Sequence, residues 1–236
     1  MIGNVEIVVR DVQPNSKFCD NSVLDKVFSS RGVTELSDLD RSLSALCDPL
    51  SMPDIVRAAE RLVSALFSQE KILIVGDFDA DGATSVAVCL LCLRSFGFQD
   101  VEYLVPNRFE FGYGLSPEIV ELALISKPNV ILTVDNGTSS FEGVAKANEA
   151  GVEVVITDHH LAGHEIPQAF ALVNPTLVES KFPSKCMAGV GVAYYLMGVI
   201  RSLLRERNWF DRARPEPNLA EYLDLVSLGT VADVVP

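Results

Sequence analysis

Clusters of aspartate and histidine are the part of this sequence that can do chemistry. One cluster places three aspartates in the run Gly76-Asp77-Phe78-Asp79-Ala80-Asp81-Gly82, directly after an apolar segment. A later apolar segment ends at Asp158, His159 and His160, and this motif contains two of the three histidines of the chain. Carboxylates with one or two imidazoles suit Mn²⁺ or Mg²⁺ better than a thiolate-bound zinc. The two clusters therefore predict a divalent-metal site and the hydrolysis of phosphate esters.

The apolar segments that carry these clusters predict an α/β fold. Short apolar runs at 72–75, 101–105, 130–134 and 152–156 alternate with amphipathic segments at 83–96, 116–125 and 139–150. This alternation is typical of βαβ units, so we expect a mostly parallel sheet with helices on both faces. After the fourth strand, a loop that includes 171–173 should lead to a helix at 189–205 and a last helix at 219–228.

The segment before the first strand has a different pattern, which predicts an N-terminal helical segment. Ser51 and Pro53 are typical of a helix start, and Ile55, Leu62 and Leu66 recur at helical spacing. We therefore predict two parts, an N-terminal helical region at 1–70 and a catalytic domain at 71–236.

In a parallel sheet of this kind, the acidic residues should meet at one edge. Asp77, Asp79 and Asp81 follow the first strand, Asp135 follows the third, and Asp158 follows the fourth. Ligands of open parallel sheets bind beyond the carboxyl ends of the strands, and clustered carboxylates need cations to offset their repulsion. Two ions about 4 Å apart could serve phosphoryl transfer. The alternative, that the aspartates only cap helices, explains one motif but not three at one edge.

Composition limits the other possibilities. A net charge of −13 disfavours a broad basic surface for nucleic acid, although bound divalent ions would offset part of it. Five cysteines without an export signal favour reduced thiols and a cytoplasmic protein. Cys89 and Cys92 form a C-x-x-C pair that could bind zinc, but their apolar surroundings favour buried packing. The longest apolar stretch, 188–200, is shorter than the roughly 20 residues that span a bilayer, so no membrane is expected.

A series of motifs resembles, in chain order, those of the DHH phosphoesterases, and among them the bacterial single-strand exonucleases. The similarity extends from about residue 30 through most of the chain. Its motifs are Asp77-Phe78-Asp79-Ala80-Asp81-Gly82, Val105-Pro106-Asn107-Arg108, Gly112-Tyr113-Gly114-Leu115-Ser116, Val134-Asp135-Asn136-Gly137, Asp158-His159-His160, Phe182-Pro183-Ser184-Lys185, Ala188-Gly189-Val190-Gly191-Val192-Ala193 and Gly229-Thr230-Val231-Ala232-Asp233.

The resemblance implies an activity and a set of metal ligands. The activity would be 5′ to 3′ hydrolysis of single-stranded DNA to 5′-mononucleotides, in DNA repair and recombination. Asp79 would bind one ion, Asp81 the other, and Asp135 would bridge two ions of Mn²⁺ or Mg²⁺. The full implied set is Asp77, Asp79, Asp81, Asp135, His159 and Asp233.

Three further residues would act on the substrate side or support the ligands. Asp158 would orient the ligand His159 from behind. His160 would contact the scissile phosphate or place the attacking water. Arg108 could steady the phosphate through its planar guanidinium or form a salt bridge with Glu110.

The turn at Tyr113 and its flanking glycines leaves more than one interpretation open. Tyr113 and Phe109 could stack on bases or belong to the core. Gly112 and Gly114 could let main chain approach a ligand, or could only satisfy positive φ angles before the next helix. Asn136 and Gly137 predict a tight turn that aims Asp135.

The resemblance also implies what lies outside these residues. Such proteins continue into a second domain with basic DNA-binding residues, so we expect a monomer that binds metal but degrades DNA weakly alone. Repair and recombination proteins would be its partners. Two alternatives remain, a DHH hydrolase of short oligonucleotides or cyclic dinucleotides and a non-catalytic DHH-like replication scaffold. The second is disfavoured because the ligand residues are all present.

Overall fold

In the computed structural model, residues 18–107 and 111–235 are described, and the chain divides between Leu46 and Cys47 into two compact units. The first unit contains helix α1, Ser22–Ser30, and two short 3₁₀ helices, Leu36–Leu39 and Leu43–Ala45. Asn21 caps α1, because its side chain accepts hydrogen bonds from the main-chain N–H groups of Val23 and Leu24.

Helix α2, Ile55–Phe67, belongs to the second unit, where it follows a 3₁₀ helix at Pro49–Ser51. Its residues Ile55, Leu62 and Val63 are fully buried in the main core. The sequence predicted a division near residue 70, whereas the structure places the segment 47–70 with the catalytic part. The difference arises because the apolar face of α2 packs into the same core as the sheet.

The second unit is built on five parallel strands in the order β2-β1-β3-β4-β5. The strands are β1 Ile72–Gly76, β2 Val101–Leu104, β3 Val130–Val134, β4 Glu153–Thr157 and β5 Ala171–Val173. The first four confirm the predicted strands. The fifth lies in the segment predicted as loop, and its three residues are too few for a periodic signal.

Helices cover both faces of this sheet, as predicted. They are α3 Ala80–Phe96, α4 Pro117–Ile125, α5 Phe141–Glu149, α6 Gly189–Glu206 and α7 Leu223–Ala232, the last preceded by a 3₁₀ helix at Leu219–Tyr222. Alternate residues of β1 point to opposite faces: Ile72 and Ile74 join the core beneath α2, α3 and α6, while Leu73 and Val75 join the core beneath α4 and α5. The fold class is therefore α/β with helices on both faces.

Helix α3 runs the length of this core and is anchored at its far end. Cys89 and Cys92 lie buried on it as free thiols, so the C-x-x-C pair packs as the sequence favoured. At its C-terminus, the indole Nε1 of Trp209 donates a 2.7 Å hydrogen bond to the carbonyl of Phe96. The guanidinium of Arg214 lies 3.6 Å from the centre of the Trp209 ring. None of the helices in the described ranges is long and apolar enough to cross a membrane.

Candidate metal centre

The carboxyl ends of β1, β3 and β4 bring the predicted site residues together. The chain leaves β1 towards β2 on one side and later returns to β3 on the other, so the crevice between β1 and β3 is a topological switch point. Asp77 and Asp79 follow β1, Asp135 follows β3, and Asp158 follows β4. Asp233 reaches the same place from the end of α7. The expected convergence at one edge is confirmed.

The first turn of α3 fixes two of these carboxylates. Asp79 is the N-cap residue, and its Oδ1 accepts a 2.8 Å bond from the N–H of Gly82. The carboxylate of Asp81 accepts bonds of 2.6 and 2.9 Å from the N–H groups of Gly189 and Val190, the first residues of α6. Burial raises the pKa of Asp81 although these bonds act in the opposite direction. The start of α6 thus holds a predicted ligand, a contact that the sequence analysis did not foresee.

Asp135 sits in a strained turn that aims its side chain, as predicted. Its φ angle of +62° lies in the left-handed region, which is uncommon for a residue other than glycine. Asn136 anchors the turn by donating from Nδ2 to the carbonyls of Val75 and Val134, at 3.2 and 2.9 Å. Gly137 has a φ of +121°, and a Cβ there would lie 2.6 Å from the Thr133 hydroxyl. Strain of this kind is typical of functional sites.

The carboxylate of Asp135 is buried and short of donors. The residue is 2% exposed, and its Oδ1 accepts no hydrogen bond from the described residues. His159 Nε2 lies 3.0 Å from this oxygen but outside hydrogen-bonding geometry. Burial raises the pKa of Asp135 to about 7, with the charge of Asp81 adding to the effect and His159 opposing it. A buried oxygen without a donor is what a cation would satisfy.

His159 stands between carboxylates from three other segments. Its Nε2 lies 3.0 Å from Asp135 Oδ1 and 3.7 Å from Asp81 Oδ2, and its Nδ1 lies 3.8 Å from Asp233 Oδ2. The two longer separations exceed hydrogen-bond distances. They start from different ring nitrogens, and only one nitrogen of an imidazole can bind a given ion.

Within residues 18–107 and 111–235, three groups of ligand atoms could each hold a metal ion, with all atoms of a group within 4.8 Å of one another. The groups are Asp77 with Asp79 and Asp135, Asp81 with His159 and Asp233, and Asp135 with His159 and His160. All six predicted ligands occur in the first two groups. The donor set of carboxylates and imidazole fits Mn²⁺ or Mg²⁺, and the unsatisfied Oδ1 of Asp135 supports that fit.

Asp158 organises the loop after β4, but not in the predicted way. Its Oδ1 accepts bonds from the N–H of His159 at 2.7 Å and of His160 at 3.2 Å, and its Oδ2 accepts from the N–H of Thr138 at 2.8 Å. The ring that it holds is that of His160, whose Nδ1 lies 2.7 Å from Oδ1. Burial acts to raise the pKa of Asp158, but the bonds from His160 and Thr138 hold it below its usual range. We predicted that Asp158 would orient the ring of His159. Its hydrogen bond to His159 is instead with the main-chain N–H of that residue.

Tyr113 is a site residue that the sequence left unassigned. Its hydroxyl lies 3.0 Å from His160 Nδ1, 3.3 Å from His160 Nε2 and 3.2 Å from the carbonyl oxygen of Asp135. Gly112 and Gly114, with φ angles of +77° and +75°, form the turn that carries it. The paired glycines were the only sequence signal for this position.

One predicted residue cannot be placed. Arg108 and its possible partner Glu110 lie outside the described residues. Its contact with phosphate therefore stays a prediction.

The comparisons with known proteins show the family to which the chain belongs. The family described as the DHH family, N-terminal domain, matches residues 71–230, and the chain belongs to this family. Among its relatives, the single-stranded-DNA-specific exonuclease RecJ of Dickeya dadantii is 55% identical over 216 residues, which are 91% of this chain and 38% of the relative. The protein of the same name from Escherichia coli is 51% identical over 215 residues, 91% of this chain and 37% of that protein.

Solved structures show the same likeness. A crystal structure of exonuclease RecJ bound to manganese superimposes with a TM-score of 0.69 at 34% identity, covering 81% of this chain and 46% of that one. RecJ from Thermus thermophilus in complex with Mn²⁺ gives a TM-score of 0.70 at 32% identity, covering 89% of this chain and 28% of that one. The chain spans well under half the length of these curated relatives.

Proposed function

We propose that this chain carries the catalytic centre of a single-stranded-DNA-specific exonuclease. The reaction would be phosphodiester hydrolysis from the 5′ end, releasing 5′-mononucleotides. The buried, donor-poor carboxylate of Asp135 beside His159 is the observation that carries the proposal. The names of the relatives support the substrate class. The setting in the cytoplasm, in DNA repair and recombination with the proteins of those pathways, rests on the family resemblance.

Two ions of Mn²⁺ or Mg²⁺ would be held by two of the ligand groups, the first of which includes Asp135. Asp77, Asp79 and Asp135 would hold the first ion. Asp81, His159 and Asp233 would hold the second, and Asp135, whose Oδ1 lies 3.0 Å from His159 Nε2, would contribute to both as the resemblance implies. Such ions supply an activated water and stabilise the charge that develops on the attacking and leaving oxygens.

The chain's own residues would orient the phosphate against this centre. His160 is half-exposed, and Asp158 holds its ring from behind. The bond from Asp158 raises the pKa of His160 to about 9. An imidazolium has two N–H donors. Because Nδ1 is bound to Asp158, a protonated His160 would donate from Nε2 to a non-bridging oxygen of the scissile phosphate. Arg108 would be a second cation for the phosphate, as the sequence predicts.

The acidic balance limits how tightly the chain alone would hold DNA. With a net charge of −13, it offers little general attraction to a phosphate backbone. Because the chain spans 38% of the Dickeya relative, we expect the whole protein to supply most of the DNA-binding surface. The isolated chain should bind Mn²⁺ but degrade long strands weakly.

The test combines metal binding and hydrolysis. Asp135→Asn should abolish high-affinity Mn²⁺ binding in calorimetry, whereas the control Asp224→Asn, at an exposed position of α7, should bind as the native chain does. A 5′-labelled single strand should release 5′-mononucleotide with Mn²⁺, and a duplex should not. Unchanged Mn²⁺ binding in the Asp135 variant would refute the metal centre. Cleavage of dinucleotides but never of longer strands would favour the alternative of a short-oligonucleotide hydrolase.

A further inference from the structure

We propose that Tyr113 is a positioning residue that holds the ring of His160 in its working orientation. The inference rests on the proposed role of His160 and adds a residue to which the resemblance gave no role. It would explain how a half-exposed imidazole in a surface loop keeps one orientation beside the metal centre.

The hydroxyl of Tyr113 makes contact with two parts of the site at once. It lies 3.0 and 3.3 Å from the two ring nitrogens of His160, and 3.2 Å from the carbonyl oxygen of Asp135. A phenol has one donor and can also accept, and a carbonyl only accepts. The hydroxyl can therefore donate to Asp135 while its oxygen accepts a share of the Nδ1–H that Asp158 also binds, which leaves Nε2 for the substrate.

The ring of His160 is thereby held from two directions. Asp158 Oδ1 lies 2.7 Å from Nδ1, and the Tyr113 ring meets the His160 ring edge-on, with centroids 5.5 Å apart. Two partners fix the orientation of the planar His160 ring. With Asp158 alone, the ring could still rotate about its hydrogen bond to the carboxylate. Through the carbonyl of Asp135, Tyr113 also couples the position of the ring to the residue at the centre of the ligand groups.

The turn that carries Tyr113 is built to hold it there. Leu115 donates from its main-chain N–H to the hydroxyl of Ser140, at 3.0 Å, which ties the turn to the residue before α5. Gly114 approaches the same hydroxyl so closely that a Cβ would lie 3.1 Å away. The positive φ angles of Gly112 and Gly114 are inaccessible to most residues. The conformation of the main chain in this turn therefore fixes the position of the Tyr113 phenol.

Base stacking, the other role considered for Tyr113, makes a different prediction for one substitution. Phenylalanine keeps the ring and its stacking surface but removes the hydroxyl. Tyr113→Phe should therefore leave a stacking role intact and abolish a positioning role. Tyr103→Phe, at an exposed position of β2, is the matched control.

The direct measurement is the NMR chemical shifts of the His160 ring nitrogens in ¹⁵N-histidine-labelled protein. The chain has three histidines, so only three imidazole signals need to be assigned. Tyr113→Phe should shift the ring nitrogens of His160 and leave the exposed His164 unchanged, while Tyr103→Phe should change neither. Unchanged His160 signals in Tyr113→Phe would overturn the proposal, and this holds whether or not the chain hydrolyses DNA.

The kinetic readout tests whether Tyr113 acts through His160. With a 5′-labelled single strand and saturating Mn²⁺, Tyr113→Phe should lower kcat by on the order of tenfold, as expected for a lost hydrogen bond, with KM within about twofold. In a His160→Gln background, the same substitution should have no further effect. An equal loss in both backgrounds would overturn the proposal. A native chain without any Mn²⁺-dependent hydrolysis would instead refute the proposed function, and the histidine signals would still decide the role of Tyr113.

Discussion

Gly189→Ala is the substitution that most sharply tests the packing behind the metal centre. Gly189 is the first residue of α6, and its N–H binds the carboxylate of Asp81. A Cβ at this position would lie 2.7 Å from both Cβ and Oδ1 of Asp135. Ordinary van der Waals contact begins at 3.4 Å, so the carboxylate of Asp135 would have to move by about 0.7 Å.

Two effects of opposite sign then compete. Replacing glycine by alanine within a helix stabilises it by roughly 0.5–1 kcal/mol, whereas forcing an extra methyl group into a packed site costs about 1–3 kcal/mol. We expect the clash to dominate, because the neighbour is a buried side chain on a strained turn. Metal–ligand distances in protein sites stay within about 0.2 Å of their typical values. A shift of this size should therefore lower the Mn²⁺ affinity by at least about tenfold, or roughly 1.4 kcal/mol.

Gly198→Ala provides the control on the same helix. A Cβ at Gly198 would have no neighbour within 4 Å, so this variant should gain stability and keep its Mn²⁺ affinity. Urea denaturation followed by circular dichroism gives the free energy of unfolding, with EDTA and with saturating Mn²⁺, and calorimetry gives the affinity. The reasoning fails if Gly189→Ala binds Mn²⁺ like the native chain and is as stable as Gly198→Ala.

Three further predictions follow from burial and charge. Because the pKa of Asp135 is raised to about 7, Mn²⁺ must displace a proton below that pH, so calorimetric affinity should rise with pH up to about 7 and then level off. Because its pKa is raised on folding, the Asp135 carboxyl lowers the free energy of unfolding as pH rises from about 4 to 7. Asp135→Asn should therefore stabilise the metal-free chain at pH 8 by up to about 4 kcal/mol in urea denaturation. Equal or lower stability of the variant would contradict this. Cys89→Ser should lose about 1–3 kcal/mol because it buries a hydroxyl, whereas exposed Cys186→Ser should be neutral, and thiol titration should label Cys186 before Cys89.

The convergence of the acidic residues could be predicted because it depends only on strand order and direction. Asp77, Asp135 and Asp158 each follow a strand, and parallel strands end at the same edge. The two faces of the sheet could be predicted for a similar reason, since strands buried on both sides are continuously apolar.

The parts that could not be predicted depend on contacts between distant segments or on side-chain direction. The approach of Gly189 to Asp81 joins residues more than a hundred positions apart. Asp158 precedes two adjacent histidines, and the sequence pattern does not indicate which of the two rings its carboxylate will bind. Strand β5 forms because it pairs with β4, not because its three residues have a strand pattern. The partners of the Tyr113 hydroxyl follow from the turn between two glycines, whose direction local sequence does not encode.

The position of Trp209 has a practical consequence for spectroscopy. It is the only tryptophan of the chain, and its indole is hydrogen-bonded to Phe96, the last residue of α3. The first turn of the same helix carries Asp81. A helix of 17 residues is about 25 Å long, so the fluorophore and the metal ligands lie at opposite ends of α3. Intrinsic fluorescence should therefore report the integrity of the core while remaining insensitive to local changes among the ligands. A substitution at the metal centre that shifts the emission maximum has disturbed the scaffold as well as the site.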